Sequence, residues 1–322
     1  MQKLLTVSIA AYNAEKYLDK CIESILKSKY LDQIEILIQD DGSKDQTANI
    51  ALGYCKKYPD SVFLNTSPNG GYGETINRSL SQATGKYFKL LDSDDYFDVK
   101  ELDRLMGFLD SYDKDLLILS HKVVNVSTKE ERIFSFPNTN NLSGIGRWDI
   151  VAKTDVLKSI SYRFPSKLFF TDNLFCALCF SLSHSFEAKD FCVYIYNVGI
   201  AGQSTEPVKD KSKLVKTADN VFFIINELIR IKNRYPVRNT DLEIYLDYLI
   251  YVNFSNYVFR ISKISRREGW TKIKEVRKSL SRSVWKKFKY RLKVRLAYNR
   301  QKNRFNYLFI STVFLFYKRI KP

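Results

Sequence analysis

The sequence predicts an α/β fold with a mainly parallel central sheet flanked by helices, followed by a helical, basic C-terminal region. Three observations predict it. Short apolar, β-branched-rich runs alternate with segments of helical periodicity over residues 4–91, the pattern that specifies strand–helix–strand crossovers. Carboxylates fall at the ends of the second and fourth runs, where an open parallel sheet places its ligands. Beyond about Lys209 the periodicity is helical throughout, and positive charge accumulates toward the C-terminus.

The elements read in order. Leu4 to Ala10 is a first strand, and Ala14 to Ser28 a helix whose apolar positions are Tyr17, Leu18, Cys21, Ile22, Ile25 and Leu26. Ile34 to Gln39 is a second buried strand, Asp45 to Tyr58 a helix capped by Ser43 or Asp45, and Ser61 to Asn65 a third strand. The turn Asn69-Gly-Gly-Tyr-Gly73 leads to a helix from Glu74 to Gln82 and a fourth strand from Tyr87 to Leu91. Asp115 to Ser120 is another strand, Lys122 to Phe136 a hairpin, Asp172 to Leu182 an apolar helix and Phe191 to Val198 a strand. Val215 to Tyr235 and Asp241 to Ile261 are long aromatic-rich helices. The break at Gln203 to Pro207 separates a domain of residues 1–205 from a region of residues 206–322.

With 322 residues, 45 % of them hydrophobic, the chain can bury a large core. The net charge of +17 is unevenly spread: residues 255–322 hold 21 Lys and Arg against Glu268 and Glu275, while the first 254 residues hold 31 basic and 33 acidic side chains. A near-neutral body with a cationic tail suits a polyanion or an anionic membrane surface. The five cysteines are sparse and lack metal-site spacing, so they read as core thiols of a reducing cytoplasm. The N-terminal run lacks a cleavage signal, and Tyr307 to Tyr317 is about half the ~20 residues a spanning helix needs.

The acidic groups Asp40-Asp41 and Asp92, Asp94 and Asp95 stand where ligands bind. Asp92-Ser-Asp94 on a loop presents oxygen donors to a hard cation such as Mn²⁺ or Mg²⁺, whose remaining positions a phosphate-bearing ligand and water would fill. Asp92 to Asp95 also suit a turn that N-caps a helix beginning near Val99, with Asp95 as the cap.

Four segments resemble the family 2 glycosyltransferases of the GT-A fold: Val7-Ser-Ile-Ala-Ala-Tyr-Asn13, Ile38-Gln-Asp-Asp-Gly-Ser-Lys-Asp45, Asn69-Gly-Gly71 leading through Asn77 to Ala83-Thr-Gly-Lys-Tyr87, and Leu91-Asp-Ser-Asp-Asp95. The resemblance covers about residues 4 to 205 and implies an inverting, metal-dependent enzyme that uses a UDP-sugar donor. It implies that Ala10 and Tyr12 line the nucleotide pocket with Asn69, Asn77 and Ser93 nearby. Asp41 would accept the uracil imide N–H, Asp92 would hold the ribose or a metal-bound water, and Asp94 would bind the cation bridging the diphosphate. Ile76 occupies the place where many relatives carry a donor-binding Arg, which leaves Arg78 or Lys86 to supply that charge. The run Phe169-Phe-Thr-Asp-Asn-Leu-Phe175 is similar to the segment that carries the catalytic base, which makes Asp172 the candidate, with helix capping as its other reading. Gly202-Gln-Ser204 resembles the loop after the family's last strand.

In the tail, Trp285, Phe288, Leu292 and Leu296 recur at helical spacing among Lys and Arg residues, which suits peripheral attachment to the inner face of the cell membrane. Packing on a second copy in a homo-oligomer is the other reading, and no nucleic-acid module accompanies the charge. The expected acceptor is a cell-surface glycan or lipid-linked saccharide. Two rivals stand beside this reading: a GT-A-shaped, non-catalytic binding or scaffold subunit, and a haloacid-dehalogenase-type phosphatase, which carries its Asp pair at the first strand.

Overall fold

The computed structural model describes residues 3–135, 145–200, 203, 211–261 and 266–280, which fall in two compact units, Met1–Glu206 with Val237–Asp241, and Pro207–Pro236 with Leu242–Pro322. In the first unit, β1 (Leu5–Ala11) lies between β2 (Ile34–Asp40) and β4 (Tyr87–Asp92), and β3 (Val62–Thr66) extends the sheet beyond β2, all in parallel. β1 and β2 are covered on both faces, so that Thr6, Ser8, Glu35 and Gln39 are buried along with Leu5, Val7, Ile9, Ile36 and Ile38, whereas Phe63 of β3 is exposed. The covering helices are α1 (Leu18–Leu26), α2 (Thr47–Lys57), α3 (Tyr72–Gln82) and α4 (Val99–Leu109). In α4, Leu102, Leu105, Met106 and Leu109 form the buried stripe that a 3.6-residue period produces.

The second half is mixed rather than parallel. A long strand β6 (Leu116–Asn125) pairs antiparallel with β7 (Glu131–Phe134) and β8 (Ile150–Lys153) and parallel with β9 (Phe186–Val198). The expected strand at Asp115 to Ser120 and the first arm of the expected hairpin are thus one continuous strand, and Phe136 lies outside the described residues. β8 also pairs antiparallel with β4, which joins the halves into a sheet of order β3-β2-β1-β4-β8-β6-β9-β5 with β7 beside β6. The short β5 (Tyr96–Phe97) pairs with Tyr194 and Ile195 of β9, so the far strand returns past the end of β4. Two more helices, α5 (Thr154–Lys158) and α6 (Asp172–Leu182), follow β8, and α6 is buried along almost its whole length.

The described part of the second unit is helical: α7 (Lys211–Arg234), α8 (Thr240–Ile261) and α9 (Arg266–Ser279). Val221, Ile224, Ile225 and Leu228 give α7 one buried face, and Lys232 pairs with Asp247 of α8 at 2.6 Å. Lys272 of α9 pairs with Asp219 of α7 at 2.8 Å. No helix among the described residues is long and apolar enough to cross a membrane. The amphipathic pattern from Trp285 onward and the run Tyr307 to Tyr317 lie outside the described residues. All five cysteines are unbridged; Cys21, Cys176 and Cys179 are buried.

Candidate active site

The strand register assembles the acidic groups. Ala10 pairs with Asp92 and Ala11 with Asp40, so the carboxyl ends of three parallel strands carry the carboxylates to one edge. After Asp92 the chain turns through Ser93 and Asp94, with the Asp95 N–H donating to Asp92 O at 3.1 Å. Asp95 is not the helix cap. Asp98 is: its Oδ1 accepts from the N–H groups of Lys100 and Glu101 at 3.0 and 3.1 Å. Asp95 is instead buried, its Oδ2 accepting from the Tyr194 hydroxyl at 2.6 Å and its Oδ1 from the Asn197 N–H at 2.7 Å, and so it ties the turn to β9. Asn197 Nδ2 donates to Asp94 O at 2.7 Å, and Gln203 Nε2 donates to Asp94 Oδ2 at 3.0 Å.

One oxygen from each of Asp92, Asp94 and Asp95 lies within 4.8 Å of the others. Burial pushes the Asp94 carboxyl above its ordinary range. Burial does the same to Asp95, and the neighbouring Asp92 and Asp94 charges add to it. A hard divalent cation would relieve this crowding, and carboxylate oxygens are its preferred donors, so the residues present fit Mn²⁺ or Mg²⁺. Asp94 and Asp92 would hold it, with Asp95 behind them.

A side chain that the sequence reading did not single out completes the site. Arg147 lies on a single 3₁₀ turn, Arg147–Asp149, just before β8. Its Nε and Nη2 donate to the two oxygens of Asp92, and its Nη1 donates to Asp172 Oδ2 at 3.2 Å. The Tyr72 hydroxyl donates to Asp92 Oδ1 at 3.1 Å, and the guanidinium lies 5.4 Å from the Tyr72 ring and 5.0 Å from that of Trp148. Burial alone would lower the Arg147 pKa, but the Asp92 and Asp172 carboxylates hold it well above its usual value, so it remains charged. Asp172 opens α6. Burial raises its carboxyl above the ordinary range, while Arg147 pulls it back. A carboxyl raised toward neutrality is a better proton acceptor than an ordinary aspartate.

The glycine-rich turn is organised by Asp41, which takes the Gly70 N–H at 2.9 Å and Arg78 Nη2 at 3.0 Å on Oδ1, and the Gly71 N–H at 2.7 Å on Oδ2. A lone pair on Oδ2 is left over for a ligand N–H. Gly71 has φ +79° and stands against Lys167, and Gly73 packs so closely on Pro165 that a Cβ would lie 2.3 Å from its carbonyl oxygen. The segment leading to Asp172 is therefore stapled to the turn, with Lys167 N–H donating to Gly70 O at 2.7 Å.

Of the remaining predicted residues, Ala10 and Tyr12 lie at the end of β1, and the Tyr12 ring is exposed. Asn69 follows β3 with its backbone against Gly42, and Ser93 sits half-buried between the two aspartates. Asn77 faces elsewhere: Nδ2 donates to Glu74 Oε2 and Phe164 O, and Oδ1 accepts from the Phe164 N–H at 2.8 Å. It clamps the loop before Asp172 instead of reaching toward the carboxylates. Lys86 requires a correction. It precedes β4 at the end opposite the aspartates, and its Nζ donates to Tyr112 O at 2.6 Å beside Asp113, six strand residues from Asp92. Arg78 is committed to Asp41, and among the described residues the cation paired with the acidic cluster is Arg147. Nothing in the sequence marked it, since a single Arg in an irregular stretch has neither period nor motif. Gly202 and Ser204 lie outside the described residues.

The family model described as Glycosyl transferase family 2 matches residues 6–169. Among curated proteins, the chain is 26 % identical over 266 residues to the poly(ribitol-phosphate) beta-N-acetylglucosaminyltransferase TarS of Staphylococcus aureus, covering 80 % of this chain and 44 % of that one. It thus spans less than half the length of that relative. It is 33 % identical over 118 residues to the glycosyltransferase GlyG of Streptococcus pneumoniae, which covers 37 % of this chain and 39 % of that one. Among solved structures, TarS 1–349 in complex with UDP-GlcNAc superposes with a TM-score of 0.63 at 19 % identity over 87 % of this chain and 82 % of that one. The mannosyltransferase PcManGT of Pyrobaculum calidifontis, in complex with GDP-Man and Mn²⁺, gives 0.51 at 13 % identity over 89 % and 83 %.

Proposed function

The chain belongs to glycosyl transferase family 2 and has the GT-A fold, and from that premise we propose that it transfers a sugar, with inversion, from a UDP-sugar to a hydroxyl of a cell-surface glycan or lipid-linked saccharide. The observation that carries the reading is the Arg147 bridge: one guanidinium joins Asp92, at the end of β4, to Asp172, at the start of α6. A donor-side carboxylate and a candidate base therefore face a common space.

In this reading Tyr12, Ala10, Asn69 and Ser93 line the nucleotide pocket, and Asp41 offers its remaining lone pair to the uracil imide N–H. Mn²⁺ or Mg²⁺ held by Asp94 and Asp92 supplies the positive charge that a departing diphosphate requires. Asp172 takes the proton of the acceptor hydroxyl while the hydroxyl oxygen bonds to the anomeric carbon and that carbon's bond to the diphosphate oxygen breaks. Arg147 keeps the Asp172 carboxylate turned toward the donor side. The uridine choice rests on the likeness to TarS, and a guanosine donor, as in the PcManGT complex, is the outcome that would correct it. The cationic C-terminal region would hold the enzyme at an anionic membrane surface. Flotation with anionic liposomes that is unchanged after truncation near residue 280 would remove that part.

The test is turnover of a panel of nucleotide sugars, with Asp172→Asn as the control. Loss of the base should lower kcat by about 10²- to 10⁴-fold with donor KM little changed. Nucleotide binding without transfer or hydrolysis of any donor would instead favour a non-catalytic binding subunit. A haloacid-dehalogenase-type phosphatase is disfavoured because the Asp pair closes β4, not the first strand.

A further inference from the structure

Behind the Arg147 turn lies a group of buried ionisable side chains with no part in the transfer steps above. Lys89 is on β4, in register with Val7, and is completely buried. Its Nζ donates to the backbone carbonyls of Trp148 at 2.6 Å and Ile150 at 3.4 Å. Between those two residues, Asp149, also fully buried, accepts the Gly146 N–H on Oδ2 at 2.9 Å, and its Oδ1 is 2.6 Å from His121 Nδ1. His121 stacks on Phe134 with ring centroids 4.9 Å apart, and Trp148 stacks on Tyr196 at 5.0 Å.

A lysine in the middle of a sheet is costly to bury unless its hydrogens are used, and an aliphatic residue would fill the place without that cost. What Lys89 contributes is specific: a buried amine, charged or neutral, has at least two N–H donors, and it meets the carbonyls on either side of Asp149. Asp149 meanwhile closes the turn on Gly146 and anchors it to β6 through His121. Arg147, two residues away, points from the same turn into the site.

We propose that Lys89, Asp149 and His121 are positioning residues of the transfer reaction, fixing the turn Arg147–Asp149 so that the Arg147 guanidinium stands between Asp92 and Asp172. The proposal rests on the transferase reading for its catalytic consequence, but its structural half can be measured without turnover.

Two measurements test it on the full-length protein. The first is amide hydrogen exchange of Lys89→Met and Asp149→Ala, which remove the Lys89 donors and the Asp149 acceptors respectively. The amides of Gly146 and Asp149 should exchange about tenfold faster, the loss expected for one or two hydrogen bonds, while those of β1 to β3 keep their rates. Unchanged exchange at the turn overturns the proposal whatever the activity does. The second is a double-mutant cycle with Arg147→Ala. Lys89→Met alone should lower kcat by up to about 100-fold, as an ångström-scale displacement does, with donor KM unchanged, and should cost nothing further once Arg147 is gone. Losses that multiply would show that Lys89 acts by some route other than Arg147 and would overturn the proposal. If Lys89→Met does not fold, Lys89→Leu, which likewise lacks N–H donors, carries the same tests. If the wild type transfers no sugar, the enzymatic reading fails, while the exchange arm still decides the positioning role.

Discussion

Replacing Arg147 by methionine keeps much of the side-chain volume and removes the charge shared by Asp92 and Asp172. The Arg147 side chain is 12 % exposed and Asp172 30 %, so water screens the pair only partly. At the 3.2 Å separation from Asp172, an effective dielectric of about 20 gives an attraction of about 5 kcal/mol. Desolvation of the guanidinium offsets part of this, but its removal leaves the Asp92 and Asp172 carboxylates without their cation, and breaking such a pair costs about 3 kcal/mol. Urea denaturation in the presence of a chelator should therefore show Arg147→Met less stable by about that amount. Because Asp92 then lacks its counter-charge, the variant should also bind Mn²⁺ more tightly than the wild type, and saturating Mn²⁺ should return part of the lost stability. Turnover should fall in spite of the tighter metal. A variant as stable as the wild type in chelator, or a deficit untouched by Mn²⁺, would refute the view that Arg147 neutralises the acidic cluster.

Gly73→Ala places a methyl 2.3 Å from Pro165 O and 3.2 Å from Phe164 Cβ, so the segment leading to Asp172 must move; a loss of about 1–3 kcal/mol and lower kcat are expected, and an unchanged Tm with full activity would contradict the close packing. Burial pushes the Lys89 pKa down to about 7, against about 10.4 in the unfolded chain, with the facing Asp149 carboxylate opposing the shift. Between those values the unfolded state binds more protons, so wild-type stability gains from Lys89 as pH rises from about 7 to about 10. Lys89→Met lacks that gain, and its stability relative to wild type should be most favourable near pH 6 and decline toward pH 10; a difference independent of pH would refute the assignment.

The four parallel strands were legible as short runs rich in β-branched and aliphatic residues; in β1 and β2 the polar residues between them, Thr6, Ser8, Glu35 and Gln39, are nonetheless buried, so their alternation does not mark a surface strand. The place of the acidic cluster followed from the same runs, since Asp92 is simply the residue after the last apolar position of β4. What was hidden depended on contacts between distant segments. Asp95 looked like a cap because it precedes Val99 closely, and only the return of β9, with Tyr194 and Asn197, shows it to be a buried tie. β8 is four residues long, too short for a periodic signal, and it inserts antiparallel between β4 and β6. Arg147 acquires its role from that insertion, which carries the turn before β8 to the end of β4. Lys86, offered with Arg78 for the charge missing at Ile76, stands just before β4, and that extended strand runs from it to Asp92 at the opposite end.

In the proposed transfer the Asp92 and Asp94 carboxylates bind a nucleoside diphosphate through a divalent cation. The decisive measurement is calorimetry of UDP binding with and without Mn²⁺, on the wild type and on Asp94→Asn. Mn²⁺ should strengthen UDP binding to the wild type, and Asp94→Asn should lose this enhancement. Equal UDP affinity with and without the metal, or an enhancement that survives in Asp94→Asn, would contradict it.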